Sequence, residues 1–168
     1  MRATSDGYCG ADRSMSGFVG GDAAKVEQAA ARGTLYASGY FASVMAEALK
    51  TAECNACMKR IAAAPTAGSC GVLPAVLIPL AEVCDVAEET ILQALYIAAG
   101  FGQVTALRAS VAGAEGGCQA EIGTASAMAA AALTHILGGT AQQCADAYAI
   151  ALGNLLGLVC DPVAGLVE

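Results

Sequence analysis

The chain has 168 residues, of which 57% are hydrophobic but only 5% aromatic, with no Trp. Forty alanines and 20 glycines fill the difference. That composition excludes a disordered chain, whose hydrophobicity is low, and a β-rich fold, which wants Val, Ile, Thr and aromatics. A net charge of −7 with eight scattered Lys and Arg lacks the basic patch that a phosphate backbone requires, so no nucleic-acid partner is expected.

In chain order, residues 1–20 are polar and Gly-rich and read as an irregular entry segment without an apolar secretory leader. Asp22 is the expected N-cap of a helix over 23–32, closed by Gly33. Residues 38–63 read as a longer helix, with Phe41, Val44, Met45, Ala48, Leu49 and Ala52 on its apolar stripe. The helix should end near Pro65, and the stretch APTAGSCGVLP that follows is a shaped loop. Pro74 belongs in the first turn of the next helix, which Pro79 should kink or shorten.

Asp85 and Glu88 have capping-box spacing ahead of a helix reaching about Gly100, with further helix over 102–112. Gly113–Gly117 reads as a Gly-rich loop, and Gln119–Leu137 as a buried helix stopped by Gly138 and Gly139. Thr140 and Gln143 form a second capping box for a helix ending near Gly157, and the closing CDPVAGLVE is turn-rich. The expectation is one all-α domain over 1–168, with about seven Ala/Gly-rich helices and Gly/Pro-rich cysteine loops. From Ile122 to Cys160 the only formal charge is Asp146, which invites a membrane reading. Ala, Ser and Met dominate the stretch and Gly and Gln interrupt it, so buried core helices and no membrane are expected.

Familiar catalytic sets are scarce. His135 is the sole histidine and reads as a helix-surface or capping residue. There is no G-x-S-x-G elbow, P-loop or dinucleotide-binding glycine pattern. Arg108 and Lys59 read as solvated surface charges in preference to contacts with an anionic ligand. Eight cysteines remain. In a chain this long and helical they suit a reducing cytoplasm better than a secreted disulfide framework. Cys54 and Cys57, a lone C-x-x-C expected in mid-helix, read as small core or interface residues. Cys9, Cys84 and Cys144 read as structural. Cys70, Cys118 and Cys160 differ, because each lies in a segment dense in Gly and Pro. There the backbone can approach closely, N–H groups can face a sulfur, and a helix N-terminus can favour a thiolate. Spacing alone leaves a metal or cluster site and buried structural thiols both open.

Four stretches carry a resemblance: SGFVGGDAAK (16–25), AAAPTAGSCGVLPAVL (62–77), AGAEGGCQAEIGTASAMAAAAL (112–133) and LGNLLGLVCDPVAGLVE (152–168). Together they resemble the α subunit, or catalytic domain, of iron–sulfur-dependent L-serine dehydratases. The resemblance implies a 4Fe-4S cluster with Cys118 and Cys160 as two of three cysteine ligands. The third lies in a dipeptide beyond Glu168, so the chain is expected to lack the family's C-terminal segment and, alone, to be inactive. It also implies an iron acting as Lewis acid on the hydroxyl of L-serine, and pyruvate and ammonia as products. A β subunit or β-type domain would supply the base, within an oligomer. The loop Thr66, Ala67, Gly68, Ser69, Cys70 and Gly71 is expected near the substrate, presenting backbone N–H groups to its carboxylate; no ligand role is carried onto Cys70. A related iron–sulfur L-cysteine desulfidase and a non-catalytic bundle of small-residue helices are the alternatives.

Overall fold

In the computed structural model, residues 1–37 and 39–157 are described. Among them are seven α-helices and no strand. The helices are α1 (Arg2–Asp6), α2 (Asp22–Ala31), α3 (Tyr40–Ala56), α4 (Val72–Glu82), α5 (Glu88–Arg108), α6 (Gly113–Ile136) and α7 (Ala141–Asn154). A 3₁₀ turn, Ala67–Ser69, precedes α4. The all-α expectation holds in a single compact domain.

The apolar α4 is the centre. Leu73, Leu77 and Leu80 on it are buried against Ala94 and Ala98 of α5 and Met128, Ala129 and Ala132 of α6. Alanine on the facing helices leaves little side chain between them, so backbones pack closely, and this is the use to which the alanine excess is put. On the other side α3 packs on α4, α2 and α1 pack on α3, and α7 closes the far face of α6. Tyr40 ties the two sides, its hydroxyl donating to the Val76 carbonyl at 3.0 Å.

Several local expectations change. The entry segment contains a short helix, α1. Asp22 is not the N-cap of α2; Gly21 is, with φ 86°, and Asp22 pairs with Lys25 at 2.7 Å. The α2 N-terminus is instead capped from α3. The carboxylate of Glu53, 3% exposed, accepts from the backbone N–H groups of Gly21 (2.7 Å), Asp22 (2.7 Å) and Ala23 (3.0 Å), and from Tyr8 Oη (2.8 Å). A helix N-terminus wants an acceptor and a negative charge, and Glu53 supplies both.

The same helix overturns the predicted stripe. Phe41, Met45 and Ala52 are exposed, while Ala42, Ala46, Glu47, Thr51, Glu53 and Cys54 are buried. Glu47 is tolerated inside because Ser5 Oγ donates to it at 2.6 Å. Burial nevertheless pushes its carboxyl above the usual range. The helix stops at Ala56, short of 63, where Met58 turns with φ 58°. The C-x-x-C is therefore not in mid-helix: Cys54 is in the last turn and Cys57 is the C-cap.

Pro74 sits in the first turn as expected, and α4 continues through Pro79. Asp85 and Glu88 form no capping box; the N-cap of α5 is Ala87, with no side-chain bond, and Glu88 and Glu89 in the first turn complement the dipole. Nor does α5 break at Gly100. Gly102 lies where a Cβ would come 2.6 Å from Met128 Sδ, so its glycine serves packing on α6. By length and composition alone α5 is long and apolar enough to cross a membrane, with 17% of its apolar window buried. The expected buried stretch is α6, whose residues 123–132 are mostly buried. The Thr140–Gln143 box forms as predicted: Gln143 N–H donates to Thr140 Oγ1 at 3.3 Å and Thr140 N–H to Gln143 Oε1 at 2.8 Å. The helix it opens, α7, ends at Asn154.

Candidate functional site

The glycine run Gly113–Gly117 is not a loop but the first turn of α6, interrupted at one residue. Gly117 has φ 71° and ψ −178°, a conformation that a side chain would strain. After this break the helix restarts, so Cys118, half-buried, stands at the positive end of the long segment running to Ile136. That end favours an anion such as a thiolate. Among the described residues, a Cβ added at Gly117 would meet nothing within 4 Å.

One turn further on, Glu121 reaches the loop before α4. Thr66 Oγ1 donates to Glu121 Oε1 at 2.6 Å, and a second Thr66 contact links it to Ser69 Oγ at 3.3 Å. The other carboxylate oxygen lies over two glycines: a Cβ at Gly68 would be 2.5 Å from Oε2, and one at Gly113 2.6 Å. Asn55 of α3 holds the same loop by donating from Nδ2 to the Ala67 carbonyl at 3.1 Å. The structure thus brings Thr66–Gly71 beside the Cys118 end of α6.

The expected loop residues divide by exposure. Ala67 and Gly68 are exposed; Thr66 and Gly71 are half-buried. Ser69 (2%) and Cys70 (3%) are buried. Burial pushes the Cys70 thiol up, and its Sγ lies 3.9 Å from the Thr51 carbonyl, which makes it a packed neutral thiol. Cys160 lies outside the described residues, as does the closing CDPVAGLVE segment. Lys59 is engaged by Asp12 and by the Gly7 carbonyl at 3.1 Å. Arg108 is exposed in the last turn of α5, and His135 is half-buried in the last turn of α6. Cys9 and Cys84 are exposed and Cys144 is buried.

Among the described residues no group of three or more His, Cys, Asp or Glu could hold a metal ion. Of the expected ligands only Cys118 falls within them. Its setting at the restarted helix end fits a thiolate ligand. Sequence reasoning found Cys118 through its glycines but missed Glu121 and Glu53. Neither carries a local signal, since only their distant partners set them apart.

These features define an all-α domain in which a glycine-broken helix presents a cysteine and a carboxylate to a Thr/Gly/Ser loop. The chain belongs to the family described as serine dehydratase alpha chain, which matches residues 1–168. It is 48% identical over 155 residues to the probable L-serine dehydratase alpha chain of Bacillus subtilis (strain 168), covering 92% of this chain and 52% of that one. It is 48% identical over 151 residues to the L-serine dehydratase alpha chain of Peptoniphilus asaccharolyticus, covering 90% and 52%. To the L-serine dehydratase TdcG of Escherichia coli (strain K12) it is 46% identical over 122 residues, covering 72% and 27%. The chain therefore spans about half the length of the first two relatives.

Proposed function

We propose that the chain is the α-type portion of an L-serine ammonia-lyase, acting with a β subunit or β-type domain in the cytoplasm to convert L-serine to pyruvate and ammonia. The observation that carries this reading is the family match along all of 1–168, which includes the Gly-flanked Cys118 and the loop packed beside it. The net reaction balances without an external oxidant. Serine loses its α-proton and its hydroxyl as water, and aminoacrylate results. Tautomerisation gives the imine, which water hydrolyses to pyruvate and ammonia.

Cys118 and Cys160 would hold a 4Fe-4S cluster together with a third cysteine outside this chain. When bound, the cluster supplies a Lewis-acidic iron to the serine hydroxyl. This chain's own residues hold the surroundings. The break at Gly117 sets Cys118 at a helix start, and the helix end favours its thiolate. The Thr66–Gly71 loop borders the substrate. With Thr66 bonded to Glu121 and the Ser69 and Cys70 side chains buried, its contribution comes from the exposed backbone of Ala67 and Gly68. No base is assigned to His135; proton removal falls to the β-type partner.

The test is anaerobic reconstitution of the chain extended to the relatives' full length, with its β partner, followed by parallel assays of pyruvate from serine and sulfide from cysteine. Pyruvate formation with a visible iron–sulfur chromophore supports the reading. Faster turnover of cysteine would favour a desulfidase instead, and absence of any chromophore a non-catalytic bundle. Cys118→Ala should lose the chromophore; its retention would refute the ligand assignment.

A further inference from the structure

We propose that Glu121 is a positioning residue: its carboxylate locks the Thr66–Gly71 loop to the helix start that carries Cys118. The proposal rests on the functional reading only for the importance of that distance; the lock itself is a matter of geometry. Glu121 lies three residues after Cys118, so the two side chains are neighbours along one helix face. One oxygen takes the Thr66 hydroxyl at 2.6 Å. The other lies 2.5 Å from where a Gly68 Cβ would sit and 2.6 Å from where a Gly113 Cβ would, so a larger residue at either would displace it. A single carboxylate therefore touches the loop, the turn before the Gly117 break and the helix after it.

Among the described residues no Lys or Arg pairs with Glu121, so its charge is not there to neutralise a neighbour. What the contact fixes is distance. Cys118 and Glu121 share the helical segment after the Gly117 break, so the Thr66–Glu121 bond sets where the loop stands relative to the cysteine. Reacting groups displaced by about 1 Å lose on the order of 100-fold in rate, which is why such a lock matters beside a ligand cysteine.

The experiment uses the full-length chain with its β partner and compares Thr66→Val, Thr66→Ser and Glu121→Ala. The first readout needs no cluster: the alkylation rate of Cys118 by iodoacetamide in apo protein, followed by peptide mass spectrometry. Rates are taken on the alkaline plateau of a pH profile, where neighbouring charge no longer alters the thiolate fraction. Thr66→Val and Glu121→Ala should each raise the Cys118 rate at least threefold, Thr66→Ser should stay within twofold of wild type, and buried Cys144 should not change. The second readout is the bleaching rate of the reconstituted chromophore in air, expected to rise in the same two variants. A Cys118 rate within twofold of wild type in either of the two, or a parallel rise at Cys144, overturns the lock. Failure of the wild-type protein to form a chromophore would count against the functional reading, while the alkylation series would still decide the role of Glu121.

Discussion

At the scale of single residues, the buried carboxylate of Glu53 shows how one side chain organises its surroundings. Its four donors come from Tyr8 and from the start of α2. Burial, and then the hydrogen bond to Glu53, push the Tyr8 phenol from its ordinary 10.0 up to about 12. The sign follows from linkage. Between those two values the folded chain keeps a proton that the unfolded chain has released, so stability falls as pH rises. The contribution is complete below pH 10 and is lost toward pH 12. Tyr8→Phe should remove this part of the alkaline decline. Urea midpoints measured from pH 9 to 12 on both proteins would show it as a gap that narrows with pH, and Lys titration cancels in the comparison.

At the scale of elements, what could be read in advance was what is local. Thr140 and Gln143 carry their own partners within one turn, and the box formed as expected. Thr140→Ala should cost about 1 kcal/mol, seen as a lower urea midpoint at unchanged slope. Asp85 and Glu88 have the same spacing, yet Asp85 takes φ 55° and the box is absent; spacing does not fix the backbone that precedes a helix. The buried face of α3 departs from its apolar periodicity for a related reason. Glu47 and Glu53 turn inward because donors at residues 5, 8 and 21–23 meet them, and no periodicity within α3 can announce those. Glycine disfavours helix, so the composition of 113–117 points to a loop, whereas only Gly117 departs from helical geometry.

At the scale of the whole molecule, the all-α architecture was legible because alanine abundance, helix caps and Pro/Gly punctuation agree across the chain. The candidate site was legible in part. Cys118 and its loop neighbour were flagged by glycine, but the carboxylate between them was not, since Thr66 and Glu121 are far apart in sequence. The core makes its own prediction. Leu77, 2% exposed, belongs to a core cluster in which four of the eight buried residues are alanines, with little side chain to fill a void. Leu77→Ala should therefore cost about 2–5 kcal/mol. Urea unfolding followed by circular dichroism would measure it, with an unchanged slope expected for one cooperative transition.

The crowding over Gly68 and Gly113 also has an evolutionary consequence. Those two positions are the mould of a carboxylate elsewhere in the chain, so their tolerance to substitution depends on residue 121. Gly68→Ala alone should destabilise the protein, because its Cβ meets the Glu121 carboxylate. The same change made after Glu121→Ala should cost markedly less. The pair is epistatic, and the order of substitution decides whether the path is passable. Thermal denaturation of the two single variants and the double variant would give the coupling; additive losses would show that the positions are independent.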